Sequence, residues 1–279
     1  MKIQLLSDLH LEAHPQFSPT PAAGADVLLL AGDIGSYQAG SLLGPFSDAS
    51  DFGLSRFSPL PQYAGWPTPV LFVPGNHEYD GLDFDQAHTR LREVCARLGI
   101  LWLEREVVVL QGVRFVGTTL WSDFEALVAP TDTIGEALKQ RDKAFRAANF
   151  YLRKNHSLHG GQPILAEAVR EQSLICQQWL RAALLQTFDG PTVVVTHFAP
   201  SLQSADPRYG VTPGTAGFCN ALDELLPLAT LWLHGHLHAP SDYLHRSATG
   251  SACRVVANPL GYARKQEQSR FKPDACIEI

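Results

Sequence analysis

Short apolar runs that end abruptly in polar or glycine turns mark the first strands of this chain. Such runs cover residues 2–7, 26–31 and 69–74. Residues 27–30 show no alternation of polar and apolar side chains, which is typical of a strand buried on both faces of a sheet. The pattern therefore predicts three strands, the second of them in the interior. Because the first run leads directly into Ser7-Asp8, it predicts a strand and not a signal peptide.

Further strands are predicted in the middle and at the end of the chain. Two runs on either side of Gln111-Gly112 predict a hairpin. A β-branched run follows Gly190-Pro191, and a final edge strand is expected at the C-terminus. These additional predicted strands cover residues 100–103, 106–110, 113–118, 192–196, 231–234, 254–257 and 276–279.

Helical periodicity appears in three segments. Residues 84–98 form an amphipathic pattern that ends at Gly99, as expected of a helix stopped by glycine. Two longer segments, 134–155 and 165–185, are separated by a break at His159-Gly160-Gly161. The chain is therefore predicted to be of the α/β class (α+β type).

Two irregular stretches interrupt the predicted strands. Residues 35–69 are rich in Gly, Pro, Ser and aromatic residues and contain only a weak helical pattern, which is typical of a functional or mobile loop. Residues from about 122 to 187 are mainly helical and are interpreted as an insertion or cap. We expect residues 1–279 to form a single domain that carries this insertion.

Composition narrows the possible function classes. The chain has 279 residues and a net charge of −6, from 22 basic and 28 acidic residues, which disfavours a duplex nucleic acid partner. The chain contains no run of about 18 apolar residues, so no membrane span is predicted. The five cysteines are scattered without a C-x-x-C pair, which predicts neither a disulfide framework nor a thiolate zinc site. We therefore expect a cytoplasmic protein.

Metal-binding residue types follow five of the predicted strands. Their i, i+2 spacing at Asp8/His10 and at His236/His238 predicts that each pair points the same way in extended geometry. Gly32, Gly75 and Gly235 between them permit close backbone approach. The candidate ligands are Asp8, His10, Asp33, Asn76, His197, His236 and His238.

Aspartate, asparagine and histidine without cysteine favour Mn, Fe, Zn or Co over Ca, with Mn or Fe preferred. Two such ions about 3.5–4 Å apart activate a bridging hydroxide for attack at phosphorus. His77 is the candidate general acid that protonates the leaving alkoxide. Glu78 or another carboxylate would then hold the imidazole in the correct tautomer.

The five segments, in this order from residue 8 to residue 238, resemble the motifs of the calcineurin-like metallophosphoesterase superfamily, and the chain is most similar to its compact bacterial members. The resemblance implies two stacked mixed β-sheets flanked by helices. It implies that Asp33 bridges two ions and that His77 is the acid. It assigns Asp8, His10, Asp33 and His238 to the first ion, and Asp33, Asn76, His197 and His236 to the second.

The chain departs from the serine/threonine protein phosphatases of that superfamily. Their G-D-x-x-D-R-G motif is replaced here by Gly32-Asp33-Ile34-Gly35-Ser36-Tyr37, which disfavours a protein phosphatase. We expect a phosphoesterase acting on a small phosphodiester or phosphomonoester, either a phosphodiesterase or a phosphatase. The alternatives are a nuclease of the same superfamily and a catalytically silent metal-binding scaffold. The sequence does not define the oligomeric state.

Several residues near the motifs have two possible roles. His234 ends an apolar run and is expected in the core or behind the metal ligands, less so as a direct ligand. Asn258 and Tyr262 follow a predicted strand and are interpreted either as substrate-pocket or supporting residues or as part of a terminating turn. Trp121 follows a strand and either lines the site or is a packing residue. Phe198 comes directly after His197 and is therefore expected near the metals, either with or without contact to the substrate.

Overall fold

A five-stranded sheet forms one half of the computed structural model, which describes residues 1–248 and 250–279. Its first four strands run parallel, and the C-terminal strand pairs antiparallel with the first. The strand order is β13-β1-β2-β3-β4. These strands are β1 (Lys2–Leu6), β2 (Val27–Ala31), β3 (Val70–Val73), β4 (Leu101–Trp102) and β13 (Cys276–Glu278).

A six-stranded mixed sheet forms the other half. Its four central strands are parallel, and an antiparallel strand closes each edge, in the order β11-β12-β10-β9-β6-β5. The strands are β5 (Glu106–Leu110), β6 (Val113–Thr118), β9 (Thr192–Thr196), β10 (Leu231–His234), β11 (Ser241–Arg246) and β12 (Ala252–Ala257). A separate short hairpin joins β7 (Leu158–His159) to β8 (Gln162–Pro163).

The two sheets share an apolar core, as strand β2 shows. Val27, Leu29 and Ala31 belong to a cluster that includes residues of both sheets, whereas Leu28 and Leu30 pack into the outer cluster with the helices. Alternate side chains of a strand point to opposite faces, so a run without polar residues is apolar on both sides. The prediction of two stacked mixed sheets is therefore confirmed.

Three helices cover the outer faces. Helix α1 (Phe84–Leu98) begins where the Asp83 side chain accepts the Asp85 N–H, ends at Gly99, and packs beside β4. Helix α3 (Ala166–Leu184) packs against β6, so this part of the helical insertion flanks the sheet. Helix α2 (Ile134–Asn155) packs on α3 and on the 3₁₀ turn Pro213–Gly217. The single-domain assignment and the cap remain predictions.

The structure differs from the predicted elements in three places. Strand β11 was not predicted, because its alternating exposed and half-buried side chains give it no apolar run. Strand β12 starts two residues earlier than expected, at Ala252. The predicted break at Gly160-Gly161 is the turn of the β7–β8 hairpin. In the described part of residues 35–69, the only helical element is the 3₁₀ turn Leu54–Phe57.

The helices and the thiols bear on membrane insertion and on disulfide formation. Among the described residues, no helix combines the length and the apolar character that crossing a bilayer requires. All five cysteines have free thiols, and only Cys276 is exposed.

Candidate metal centre

Polar side chains gather where the parallel strands of both sheets end. Parallel strands present their carboxyl ends at one edge, so loops from distant parts of the sequence meet there. Strands β1, β2 and β3 of the first sheet and β9 and β10 of the second each lead into one of these loops. The side chains brought together are Asp8, His10, Asp33, Asn76, His197, His236 and His238.

The first cluster contains Asp8, His10, Asp33 and His238, with one potential ligand atom from each lying within 4.8 Å of the others. The His10 and His238 Nε2 atoms are 3.0 Å apart, and Asp8 Oδ1 lies 3.4 Å from His238 Nε2. Asp8, His10 and Asp33 are buried. The arrangement matches the set of residues that the sequence suggests for the first ion.

The second cluster contains Asp33, His197 and His236 within the same 4.8 Å limit. Asp33 Oδ2 is 3.2 Å from His197 Nε2, and Asn76 Oδ1 is 3.3 Å from the same nitrogen. Asp33 therefore belongs to both clusters. His236 Nε2 is buried and has no hydrogen-bond partner among the described residues.

Three of the imidazole rings are held through their Nδ1 atoms. His10 Nδ1 lies 2.9 Å from Glu12 Oε1, and His238 Nδ1 lies 2.8 Å from Glu267 Oε2. His197 Nδ1 lies 2.8 Å from the Ala31 carbonyl oxygen. Each acceptor favours a proton on Nδ1, which leaves Nε2 as a lone pair directed into the clusters.

This tautomer pattern is the test of whether a metal fits. With both Nδ1 atoms donating, the Nε2 atoms of His10 and His238 face each other at 3.0 Å, an arrangement that either a shared proton or a metal cation between them stabilises. The buried Nε2 of His236 likewise has no hydrogen-bond partner among the described residues. Converging nitrogen and oxygen donors without thiolates suit Mn, Fe, Zn or Co. The residues present therefore fit divalent metal ions.

The charged groups of the clusters shift one another's pKa values. Burial lowers the pKa of His197 and of His238, but the neighbouring carboxylates outweigh burial and raise both to about 9, so each ring carries a proton that a bound metal ion would displace. Burial raises the pKa of Asp33, but the neighbouring His197 and His77 outweigh burial and hold it well below the usual range. Burial lowers the pKa of His10 and His236 well below the ordinary value, and nearby histidines add to the effect. The aspartate is consequently charged and these two rings are neutral, the forms in which both residues bind metals.

The backbone around the clusters is in an unusual conformation. Asp8 and His10 have φ angles of 53° and 46°, and His236 and His238 have φ angles of 71° and 51°. These values lie in the left-handed region, which non-glycine residues seldom adopt, although Asp and His do so more often than most. The expectation of extended geometry is therefore wrong. His236 and His238 also belong to different clusters, so their spacing does not direct both to one ion.

All three predicted glycines leave no room for a side chain, and a Cβ atom on Gly32 would lie 2.6 Å from the Gly75 backbone nitrogen. A Cβ atom on Gly235 would lie 2.6 Å from Asp8 Oδ2, and one on Gly75 would lie 2.6 Å from the Asp33 backbone nitrogen. Such distances are below van der Waals contact. Glycine is required here because the backbone passes directly against the aspartates.

His77 lies beside the clusters and is partly exposed. Its ring Nδ1 is 2.6 Å from Asp80 Oδ2, and its ring Nε2 is 3.9 Å from Asp33 Oδ2. The backbone N–H of His77 donates to Asp33 Oδ1. Burial lowers the pKa of His77, but Asp80 and Asp33 outweigh burial and raise it well above the ordinary value. The ring therefore holds a proton close to the shared aspartate.

Glu78 was predicted, as one of the possible carboxylates, to hold the His77 ring in its tautomer. The structure corrects this prediction, because Glu78 does not contact the ring. Its carboxylate accepts backbone N–H groups of Asp33, Ile34 and Gly75 at 3.0, 2.6 and 2.7 Å. Those bonds tie the loop after β2 to the loop after β3. The carboxylate on the His77 ring comes from Asp80, three residues further along, because the 3₁₀ turn His77–Tyr79 directs Glu78 away from the ring.

The remaining predicted residues divide into core and site. His234 is buried, with Nε2 3.0 Å from Ser204 Oγ, and lies in the core as expected. Asn258 donates to the Leu5 and Lys272 carbonyl oxygens, which favours the terminating turn over a pocket role. Tyr262 stacks on His10 with ring centroids 4.2 Å apart.

Aromatic side chains line the second cluster. Phe198 stacks on His236 at 3.9 Å between ring centroids, and Trp121 packs against Phe198 at 5.6 Å. Phe198 therefore lines the site and Trp121 supports it from behind. Phe218, which the sequence analysis did not single out, lies 5.1 Å from the His236 ring.

Acidic residues that were not predicted from the sequence lie behind the histidines. Glu12 and Asp80 lie two and three residues after His10 and His77, a spacing that was available as a signal. Glu267 lies far from His238 in sequence, and only the chain fold brings them together. Burial raises the pKa of Glu12 to about 7.

Comparison with known proteins agrees with this geometry. A family described as calcineurin-like phosphoesterase matches residues 1–240. The chain therefore belongs to the calcineurin-like phosphoesterase family, and its fold and donor set are those of a metal-dependent phosphoric ester hydrolase.

Individual relatives are more distant. A protein of Acanthamoeba polyphaga mimivirus, uncharacterized protein L509, is 24% identical over 302 residues that cover 99% of this chain and 96% of the relative. The structure of a phosphopantetheinyl hydrolase from Mycobacterium tuberculosis has a TM-score of 0.66 at 17% identity and covers 99% of this chain and 95% of its own. A dimetal phosphatase from Danio rerio has a TM-score of 0.48 at 14% identity, covering 92% and 86%. At 17% identity, the likeness to the mycobacterial structure shows a shared fold only.

Proposed function

We propose that this protein is a dinuclear metal phosphoesterase that hydrolyses a small phosphodiester or phosphomonoester. The observation that carries the proposal is that Asp33 is shared by two clusters of inward-facing donors, with His77 beside it. The first ion is held by Asp8, His10, Asp33 and His238. The second is held by Asp33, Asn76, His197 and His236. Manganese or iron is preferred among the metals that suit these donors.

The residues around the clusters perform the remaining chemistry. When bound, a metal pair activates a water for attack on phosphorus and neutralises the phosphoryl oxygens. His77 then donates its proton to the oxygen of the leaving group, and Asp80 keeps the ring oriented through Nδ1. Glu12 and Glu267 hold two of the ligand rings in the tautomer that leaves Nε2 free.

The domain and location remain part of this proposal. Residues 1–279 form one phosphoesterase domain, with the mainly helical segment at about 122–187 as an insertion or cap. Free thiols at all five cysteines support a cytoplasmic location. The similarity in fold to a phosphopantetheinyl hydrolase makes a phosphopantetheinyl ester a sensible member of any substrate panel.

Two p-nitrophenyl esters test the proposed activity. Apoprotein reloaded with Mn²⁺ should hydrolyse p-nitrophenyl phosphate or bis(p-nitrophenyl) phosphate, and the faster ester identifies a phosphatase or a phosphodiesterase. Asp33→Asn should lose both metal and activity, because it removes the shared ligand. His77→Ala should keep its metal but lose turnover by roughly 10²–10⁴-fold on poor leaving groups. Two bound metals with no hydrolysis of either ester or of the panel would favour the scaffold.

A further inference from the structure

A tyrosine joins the candidate metal centre to a cationic surface. The Tyr262 ring is stacked on His10 at 4.2 Å with an interplanar angle of 23°, and its centroid lies 5.3 Å from that of His238. The backbone N–H of Tyr262 donates to the Glu267 carboxylate, which also holds the His238 ring. Tyr262 therefore forms the wall of the site next to the first cluster.

Two cationic groups lie over this ring. Arg264 Cζ and Lys265 Nζ are each 5.2 Å from the Tyr262 ring centroid, and both residues are exposed. Attraction to the ring face draws the two long side chains toward the site, whereas without the ring they would extend into solvent. We refer to Tyr262, Arg264 and Lys265 as the basic rim.

The charges near the basic rim leave its surface cationic. Glu267 is buried against His238, and Asp206 is buried in a bidentate pair with Arg208. Arg208 and Arg270 are exposed; Arg208 acts electrostatically on both carboxylates, and Arg270 acts on Asp206. The acidic groups are therefore turned inward and the basic groups outward, in a chain whose net charge is −6.

The geometry also indicates which kind of ligand suits the rim. One face of the Tyr262 ring rests on His10, and the cations lie over the ring, so the ring is not free to stack a nucleobase. The accessible chemistry is that of an ammonium and a guanidinium, which recognise phosphate and carboxylate.

We propose, on the basis of the proposed function, that the basic rim binds a second phosphate carried by the substrate. The preferred substrate is then a small phosphate ester with another phosphate on the arm that extends past His10. A small molecule is favoured over a nucleic acid strand because the rim presents only two cations over one ring, and the chain as a whole is acidic.

A matched pair of chromogenic diesters tests this proposal. One is thymidine 5′-(p-nitrophenyl phosphate), and the other is the same ester with a 3′-phosphate. For the Mn²⁺-loaded protein, we expect kcat/KM to be about five- to tenfold higher with the 3′-phosphate, since two exposed ion pairs are individually weak. Arg264→Gln/Lys265→Gln should bring this ratio close to one. Lys139→Gln/Lys143→Gln removes the same charge from the exposed side of α2 and should leave the ratio unchanged.

Binding to the metal-loaded protein gives a readout that does not need turnover. Calorimetry should show tighter binding of thymidine 3′,5′-bisphosphate than of thymidine 5′-phosphate, by a factor that falls in the rim variant and not in the control. If neither diester is hydrolysed but this difference in binding persists, the proposed function is wrong, and the proposal that the basic rim binds a phosphate is still supported.

A ratio that stays the same in the rim variant, or equal loss on both diesters, would overturn the proposal. So would tighter binding of a ten-residue oligothymidylate than of the bisphosphate, since it would indicate a strand-binding surface.

Discussion

Replacing Asp80 with asparagine tests how the proposed general acid is positioned. Asp80 Oδ2 lies 2.6 Å from His77 Nδ1, and its carboxylate is only 1% exposed, so little solvent screens the pair. A hydrogen bond to a charged group contributes about 1.5–3 kcal/mol. Since about 1.4 kcal/mol corresponds to a tenfold change in rate, Asp80→Asn should lower kcat by roughly 10- to 100-fold.

The loss should depend on the leaving group, because p-nitrophenolate departs without a proton whereas an alkoxide needs one. The assay is kcat over a series of phosphate esters whose leaving groups become progressively less acidic. With p-nitrophenyl esters, kcat of Asp80→Asn should be close to that of wild type. With alkyl esters, whose leaving groups are less acidic, its kcat should be lower than that of wild type. It should remain less impaired than His77→Ala, because the ring is still present.

Metal content and thermal unfolding are needed as controls. Ser157→Ala is the matched variant, since Ser157 Oγ lies 3.4 Å from Asp80 Oδ1 and the substitution leaves the carboxylate on His77 intact. We expect it to behave as wild type. A uniform loss across all leaving groups in Asp80→Asn, with normal metal content and melting temperature, would refute the reasoning.

Three further predictions follow from contacts behind the site. Glu267→Gln should weaken metal binding roughly tenfold by competition with a chelator, because His238 loses its charged partner; unchanged affinity would contradict this. Gly235→Ala should destabilise the fold by about 1–3 kcal/mol in chemical denaturation, since its Cβ would overlap Asp8. Glu125 accepts hydrogen bonds from arginines of α2 and α3, which outweigh burial and lower the pKa of its carboxyl group below 4.5. Wild type should therefore melt at a higher temperature than Glu125→Gln above pH 4.5, and the difference should vanish in more acidic solution.

Local patterns in the sequence were sufficient for most of the fold. Strands such as β2 and β9 and the helices α1 and α2 appear where periodicity and end signals predict them, because an apolar run or an amphipathic stripe has few ways to be buried. Strand β11 escaped prediction because an edge strand is stabilised by its neighbour β12 and by little in its own sequence.

The candidate site shows the same division. The residue types and their positions after strands indicate a dinuclear centre, since only a few side chains bind such ions and strand ends converge at one edge. The left-handed backbone at Asp8 and His10, the Glu267 carboxylate behind His238, and the cations over Tyr262 depend on contacts between segments remote in sequence. Sequence by itself thus determined the elements and the chemistry of the donors. The tertiary structure alone decided their orientation, because orientation depends on which distant groups pack and hydrogen-bond against each ring.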